Sequence, residues 1–402
     1  MTVAEGAASA PRTRPRDRKR QIEEAAATAF AQSGYHSVGM QDIAAMVGIS
    51  APALYRHFPN KYALFVRTAF ALVEQLIEAT DAADTAECES PGQARALIDE
   101  LLDAVIETTL RLRATGGLYR WEGRYLERAD RTALTAEFQR LRDRFERPHR
   151  VLYPGLSDTE RSMTVLAGLS VVASVTAHHT VVAARNLRTL LRSAAWRAFD
   201  LDLAHPQREL PEIPDTIVRP GTRRREQLLD AAVTLFAARG FPEVTIEELA
   251  AEVDLTPSGV YRHFASKPDV LLAVCERAAV ALERATLSAR EEADSPLEAL
   301  RRLCTVYVAF SFENYHLTRI YFAEVGNLPA DDQRRLRSMQ RAHIADWVAL
   351  LQAVRPTLSG REATVLVHAG FGVVTDQSPF LRERSPEHAQ RLVALVEAAL
   401  GI

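Results

Sequence analysis

The tetrapeptide Tyr-Arg-His-Phe occurs twice in this chain, at Tyr55 to Phe58 and at Tyr261 to Phe264, and the flanking sequences align without a gap at an offset of 206. Over the thirty-seven positions from Ala25 to Lys61 the second copy matches the first at fifteen. Phe236 falls on Phe30, Gly240 on Gly34 and Lys267 on Lys61. Solenoid repeats recur at roughly 20 to 50 residues, so an offset of this size means that a whole domain has been duplicated.

Composition agrees with two fused globular copies. The chain has 402 residues, 47% of them apolar and 25% charged, with a net charge of -3. A near-neutral total means that attraction to a polyanion must come from local patches. It also argues against a non-specific architectural DNA binder, which is strongly basic throughout. Cys88, Cys275 and Cys304 have no paired or metal-ligand spacing and fit small buried hydrophobes in a reducing cytoplasm. The first twenty residues carry charge where an export signal needs an apolar core, so a cytoplasmic, nucleoid-associated location is expected. Residues 164–184 are long and largely apolar, but His178, His179 and several hydroxyl residues interrupt them, which predicts a buried bundle helix and no membrane span.

A helical period opens each copy. Ile22, Ala26, Ala29 and Phe30 form one stripe, and Leu228, Ala232, Leu235 and Phe236 repeat it. Gly34 and Gly240 follow where a chain leaving a helix needs positive φ. A second short helix carries Met40, Ile43 and Val47, or Ile246, Leu249 and Val253. Thr245 and Glu248 have the spacing of a capping box, whereas copy one places Gly39 and Asp42 there, a weaker cap. Gly48 and Asp254 occupy the next turn, where both residue types tolerate a left-handed backbone. The third helix begins at Ser50 or Thr256 and turns Leu54 and Phe58, or Val260 and Phe264, inward. The sum is a helix-turn-helix in each copy.

With that i, i+4 pair buried, the exposed start of the third helix offers Ser50, Ala51, Pro52 and Ala53, or Thr256, Pro257, Ser258 and Gly259. Small side chains let a helix end approach base edges in the major groove. Tyr55, His57 and Lys61, with Tyr261, His263 and Lys267, are placed to hold phosphates, which fixes register without reading sequence. Arg12, Arg14, Arg16, Arg18, Lys19 and Arg20 form a basic arm ahead of copy one; Arg219, Arg223, Arg224 and Arg225 form a shorter arm ahead of copy two. Thr245, at the start of the second helix, completes the expected duplex-facing set.

These residues resemble the DNA-binding signature of the TetR/AcrR-type one-component transcriptional regulators. The signature is met at Phe30, Gly34-Tyr35, Ile43-Ala44, Ser50, Leu54 to Phe58 and Lys61, and again at Phe236, Gly240-Phe241, Leu249-Ala250, Thr256, Val260 to Phe264 and Lys267. The resemblance implies an all-α protein of two tandem TetR-like units, each a three-helix DNA-binding head followed by a helical ligand-binding and dimerisation body, and it implies repression released by an inducer. Two units in one polypeptide are similar to the tandem TetR repressors of actinobacterial mce operons. Gly39 and Asp254 depart from the family's usual small hydroxyl residue and turn glycine.

The expected layout is a disordered basic arm at 1–15, heads at 16–65 and 221–271, bodies at 66–205 and 272–402, and a proline-rich linker at 206–220. Its prolines, Pro206, Pro211, Pro214 and Pro220, favour a semi-extended chain, and the sixteen residues from His205 to Pro220 at about 3 Å each leave room for the halves to pair as a single-chain pseudo-dimer. A homodimer of whole chains stays open. The heads differ in charge: nine basic and four acidic residues from Arg12 to Arg67 give +5, while seven basic and eight acidic from Arg219 to Asp269 give -1. Copy one is therefore expected to bind DNA more strongly, and paired unequal heads would read an imperfect palindrome.

In the bodies, Tyr119, Trp121, Glu122 and Tyr125 in copy one, with Phe322 and Glu324 in copy two and His178, are candidates for an apolar ligand cavity with a few orienting polar groups, although simple packing accounts for them nearly as well. Cavity walls together with the resemblance favour a small hydrophobic inducer of lipid, sterol or acyl-CoA type. Residues 164–184 and 363–375 look like the family's dimerisation helices. His178 and His179 are adjacent on a helix, so they point about 100° apart and make a poor metal pair. No nucleophile with a base, metal cluster or phosphate-binding glycine loop is found, so catalysis, cofactors and metals are not expected. The rival reading is a protein-interaction scaffold, or a regulator in which only the N-terminal head binds DNA, motivated by the acidic second head.

Overall fold

A computed structural model describes residues 15–118, 123–204, 221–377 and 386–402. The basic arm at 1–14, Tyr119, Trp121, Glu122 and the linker lie outside the described residues, as does the side chain of Phe322. The described chain is helical and divides into two compact units, one of Met1–Glu74 with Ala114–Thr135 and the other of Gln75–Arg113 with Ala136–Ile402.

In the first unit, α1 (Pro15–Ser33), α2 (Met40–Val47), α3 (Ala51–Tyr55) and the start of α4 (Lys61–Ala79) build head one. Its core is the expected stripe, with Ile22, Ala26, Phe30, Ile43, Leu54 and Phe65 all buried. Gly34 ends α1 at φ 79°, its N–H on the carbonyl of Phe30 at 2.9 Å, and Gly48 ends α2 at φ 69°. The same unit holds a 3-10 turn at Gly123–Tyr125 and the beginning of α6 (Arg128–Leu152). Tyr62 joins these parts: its hydroxyl donates to Asp130 Oδ2 at 2.6 Å and accepts from the Glu127 amide at 2.7 Å. Burial and the Asp130 partner push that phenol up to about 12.

The second unit holds α5 (Pro91–Arg111), most of α6, α7 (Asp158–Ala173) and α8 (Ala184–Phe199). Head two follows as α9 (Arg224–Arg239), α10 (Ile246–Glu252), α11 (Pro257–Tyr261) and the start of α12 (Lys267–Glu291). Its body adds α13 (Pro296–Glu313), α14 (Tyr315–Glu324), α15 (Ala330–Val354), α16 (Gly360–Asp376) and α17 (Pro386–Leu400). Asp254 takes the left-handed turn at φ 53°, the one non-glycine to do so among the described residues.

The last two helices of each half, α7 with α8 and α16 with α17, pack into one bundle. Small residues permit the close approach. A Cβ on Gly372 would stand 3.2 Å from the Ser170 carbonyl oxygen, and one on Gly168 only 2.2 Å from the Phe199 ring. Polar ties cross between halves: Gln377 Nε2 donates to the Met163 carbonyl at 2.7 Å, Arg197 Nε to the Ala398 carbonyl at 2.8 Å, and Arg391 pairs with Glu160 at 2.9 Å.

The single helix expected over 164–184 is shorter. α7 stops at Ala173, a 3-10 turn covers Ser174–Ala177, and His178 is extended at φ -148°, ψ 160°. Arg113 takes up the carbonyls that the helix releases, donating to those of Val175 (2.8 Å), His178 (2.8 Å) and Thr180 (3.0 Å). No described helix is long and apolar enough to cross a membrane.

Candidate nucleic-acid interface

Each third helix is seated by two buried side chains, Leu54 with Phe58 and Val260 with Phe264. Ser50 and Thr256 precede it in extended backbone, with proline in the first turn. Its outer side is open: Ser50, Pro52, Thr256 and Ser258 are exposed, while Ala51, Ala53 and Pro257 are half-buried. Gly259 differs from the expectation. It is buried, because the α11 backbone lies on Leu255, whose Cβ is 3.4 Å from where a Gly259 Cβ would stand. Tyr55 and Tyr261 are 51% and 54% exposed, and His263 is exposed where His57 is half-buried. Arg56 and Arg262, exposed beside the tyrosines, were passed over in the sequence although the repeat itself contains them.

The conserved spacing of the other cations in the two copies has a different cause: they hold the heads together. Lys267 Nζ donates to the carbonyls of Phe241 (2.9 Å), Pro242 (3.3 Å) and Val244 (2.8 Å) and lies 4.4 Å from the Phe241 ring. With three donors and three carbonyls, it has none left for a phosphate. Lys61 Nζ donates to the His36 carbonyl at 3.3 Å and lies 4.4 Å from the Tyr35 ring. Arg18 and Arg224, at matching positions, both reach the end of the second helix, at the carbonyls of Val47 (3.4 Å) and Val253 (3.0 Å). Lys19 and Arg225 lie over the rings of Phe58 and Phe264 at 5.5 and 4.8 Å. So Lys61, Lys267 and Arg18, expected on phosphates, are turned inward, whereas Arg223 is exposed. The repeated aromatic after glycine and the repeated lysine are two ends of one cation–π contact.

Thr245 is likewise a cap. Its Oγ1 accepts from the Glu248 amide at 3.2 Å, and Glu248 accepts from the Thr245 amide at 2.8 Å. The Arg239 guanidinium, 2.6 Å away, with that amide, holds the Glu248 carboxyl down at about 2. In copy one the only half of the box is Asp42 accepting from the Gly39 amide at 2.8 Å. Glu243, Glu247, Glu252 and Asp254 remain exposed, so the second head carries an acidic surface beside α11.

Among the described ligand candidates, Tyr125, His178 and Glu324 each have their own neighbours. Tyr125 packs against His36, ring centroids 4.3 Å apart, and against Tyr35 at 5.7 Å. His178 stacks on His368 of the other half at 4.3 Å, and burial, His368 and Arg113 drive it down to about 2, so it belongs to the bundle. Glu324 is buried at the end of α14, accepting from Asn327 Nδ2 at 2.7 Å; its Oε1 stands 3.6 Å from a Cβ placed on Gly240. That is where α14 packs on α9 of head two.

A cavity of about 380 Å³ does lie inside the second body, among α12, α13, α14, α15 and α16. Its wall includes Ala278, Leu282, Tyr307, Phe310, Met339 and Phe371. Three buried polar atoms on it, Ser311 Oγ, Thr318 Oγ1 and His343 Nε2, have no hydrogen-bond partner. These residues come from separate helices and share no motif, so no sequence pattern marks them. Among the described residues no His, Cys, Asp and Glu cluster suited to a metal ion is found.

The family described as "Bacterial regulatory proteins, tetR family" matches residues 22–68 and again 228–274, the two heads. The chain is similar to the HTH-type transcriptional regulator TcmR of Streptomyces glaucescens, 36% identical over 96 residues, 23% of this chain and 41% of that protein. It is also similar to the HTH-type transcriptional activator FasR of Mycolicibacterium smegmatis, 33% identical over 92 residues, 23% of this chain and 42% of that protein. The chain thus spans about two fifths of the length of these relatives. A solved TetR-family regulator from Bordetella parapertussis 12822 aligns at 21% identity and a TM-score of 0.41, over 44% of this chain and 95% of that one. With both heads matched and each built as a helix-turn-helix, the chain carries the N-terminal module of the tetR family of bacterial regulatory proteins twice.

Proposed function

We propose that the protein is a ligand-responsive transcriptional repressor of the cytoplasm, reading operator DNA with both heads of a single-chain pseudo-dimer. One observation carries the reading: each third helix is anchored by two buried apolar residues and leaves a small-residue start and a half-exposed tyrosine to solvent. Ser50 to Ala53 and Thr256 with Ser258 read base edges, while Tyr55, Tyr261, the histidines and Arg56 with Arg262 hold phosphates. The bundle of α7, α8, α16 and α17 supplies within one chain the contact a dimer would make.

An inducer of lipid, sterol or acyl-CoA type occupies the cavity of the second body. α14 then links cavity and head, since Thr318 and Tyr321 line the cavity and Glu324, one turn on, is buried against the end of α9. A ligand that favours one placement of α14 biases head two by its differential affinity for the two placements.

The second reading keeps DNA binding in head one alone, favoured by the exposed acids around α11. Fluorescence anisotropy on the DNA upstream of the chain's own reading frame decides. No binding at low salt sinks the regulator. With binding, Ala53→Glu and Ser258→Glu should each weaken it at least about tenfold; loss with Ala53→Glu alone selects the single-head reading.

A further inference from the structure

We infer that the cavity of the second body takes an uncharged, oxygen-bearing hydrocarbon and rejects molecules whose head group is anionic. This rests on the proposed ligand role of the cavity and narrows it. The carrying observation is the company of the three unpartnered polar atoms.

Ser311 is 3% exposed, and its hydroxyl, the Thr318 hydroxyl and His343 Nε2 belong to a wall that is mainly aromatic and aliphatic, with Thr286, Ser338 and Gln340 as its other uncharged polar residues. A buried hydroxyl without a partner is costly, and a ligand that supplies one removes the cost. Hydroxyls both donate and accept, so an alcohol or ketone oxygen satisfies them. Burial holds the His343 imidazole down at about 4, so it meets the ligand as a neutral ring.

Charge selects further. The charged residues lining the cavity are both carboxylates, Glu283 and Asp346, with neither Lys nor Arg among the lining residues. An entering carboxylate or phosphate would lose its hydration, meet the like charge of Glu283 and find no Lys or Arg on the wall to pair with. Nor does the cavity hold a buried carboxylate waiting for a cation: Asp346 is paired with Arg290 at 2.8 Å, and Glu283 is exposed at the rim. An uncharged head group is what remains. The same reasoning turns away a coenzyme A thioester, whose phosphates would sit at an acidic rim.

The test uses the full-length protein and three probes of one chain length, 1-decanol, decanoate and decylammonium, titrated calorimetrically at pH 8, with promoter anisotropy read on the same preparation. The alcohol should bind at least about tenfold more tightly than the carboxylate. Ser311→Ala and Thr318→Val should each weaken the alcohol by roughly three- to tenfold. Glu283→Arg should improve decanoate, a gain that a folding defect cannot imitate. Decanoate bound as tightly as decanol, or decylammonium bound more tightly, overturns the inference. Binding of none of the three overturns it together with the ligand half of the proposed function, while DNA binding in the same sample leaves the other half standing. Decanol binding by a protein that ignores DNA leaves the inference intact and removes the regulator.

Discussion

Replacing Lys267 by methionine separates a structural ammonium from a phosphate anchor. The stem is kept, so what is lost is three carbonyl contacts and the charge over the Phe241 ring. Hydrogen bonds to a charged donor contribute about 1.5–3 kcal/mol each, and an exposed cation–π pair about 0.5–1 kcal/mol. The terms do not add: Pro242 is exposed, so water replaces that contact, and a lysine in the first turn of α12 opposes the helix dipole by about 0.3–1 kcal/mol. Phe241 and Val244 are buried, and the loss of those two contacts sets the expected cost at about 2–4 kcal/mol. Lys61→Met gives up one carbonyl at 3.3 Å and a ring contact, hence about 1–2 kcal/mol. Hydrogen exchange of residues 241–252 reads the first, because the fused chain need not unfold in one step. Promoter affinity measured against salt reads the alternative, since one lost phosphate contact flattens the slope by about 0.9. A flattened slope with unchanged amide protection would refute the structural role.

Two further outcomes follow from the bundle. His368 is held neutral, down at about 4, by burial and the neighbouring Arg113, with His178 stacked on it. An unfolded histidine takes its proton near pH 6.5, so this site's stability is complete above that pH and is lost as pH falls toward 4, by about 3 kcal/mol in all. His368→Phe should flatten the fall of Tm between pH 6.5 and 4, and an unchanged profile counts against it. Gly372→Leu should lower Tm sharply, because its Cβ meets the Ser170 backbone at 3.2 Å, whereas Gly92→Leu, with nothing within 4 Å, should not. Equal effects would mean that the halves are not in close contact at Gly372.

What the sequence made legible was whatever is local or repeated. Phe30 and Phe236, the glycines at positive φ and the box at Thr245 follow from spacing alone, because each depends on residues within a turn or two. The direction in which Lys61, Lys267 and Arg18 point was not legible. A long flexible cation reaches either water or a carbonyl some twenty-five residues away, and the pattern is the same for both. The end of α7 was hidden for a similar reason: Arg113, far along the chain, gathers the carbonyls that stop the helix. The cavity was least legible, since Ser311, Thr318 and His343 come together only after three helices have packed.

Fusion explains why the two copies could come apart in detail. In a homodimer every substitution is made twice, at symmetric places, so an acidic patch beside one reading helix appears beside both. Here Gly39 aligns with Thr245 and Gly48 with Asp254, and the exposed acids of α10, Glu247 and Glu252, stand where α2 has Gln41 and Met46. The bundle shows the same freedom. Aligned at their capping serines, Ser157 and Ser359, α7 carries Ser170 where α16 carries Gly372, so a glycine stands at that position in one half alone. One head can therefore keep its basic residues while the other, packed on the α14 helix that also lines the cavity, changes separately, a freedom that two identical chains do not have.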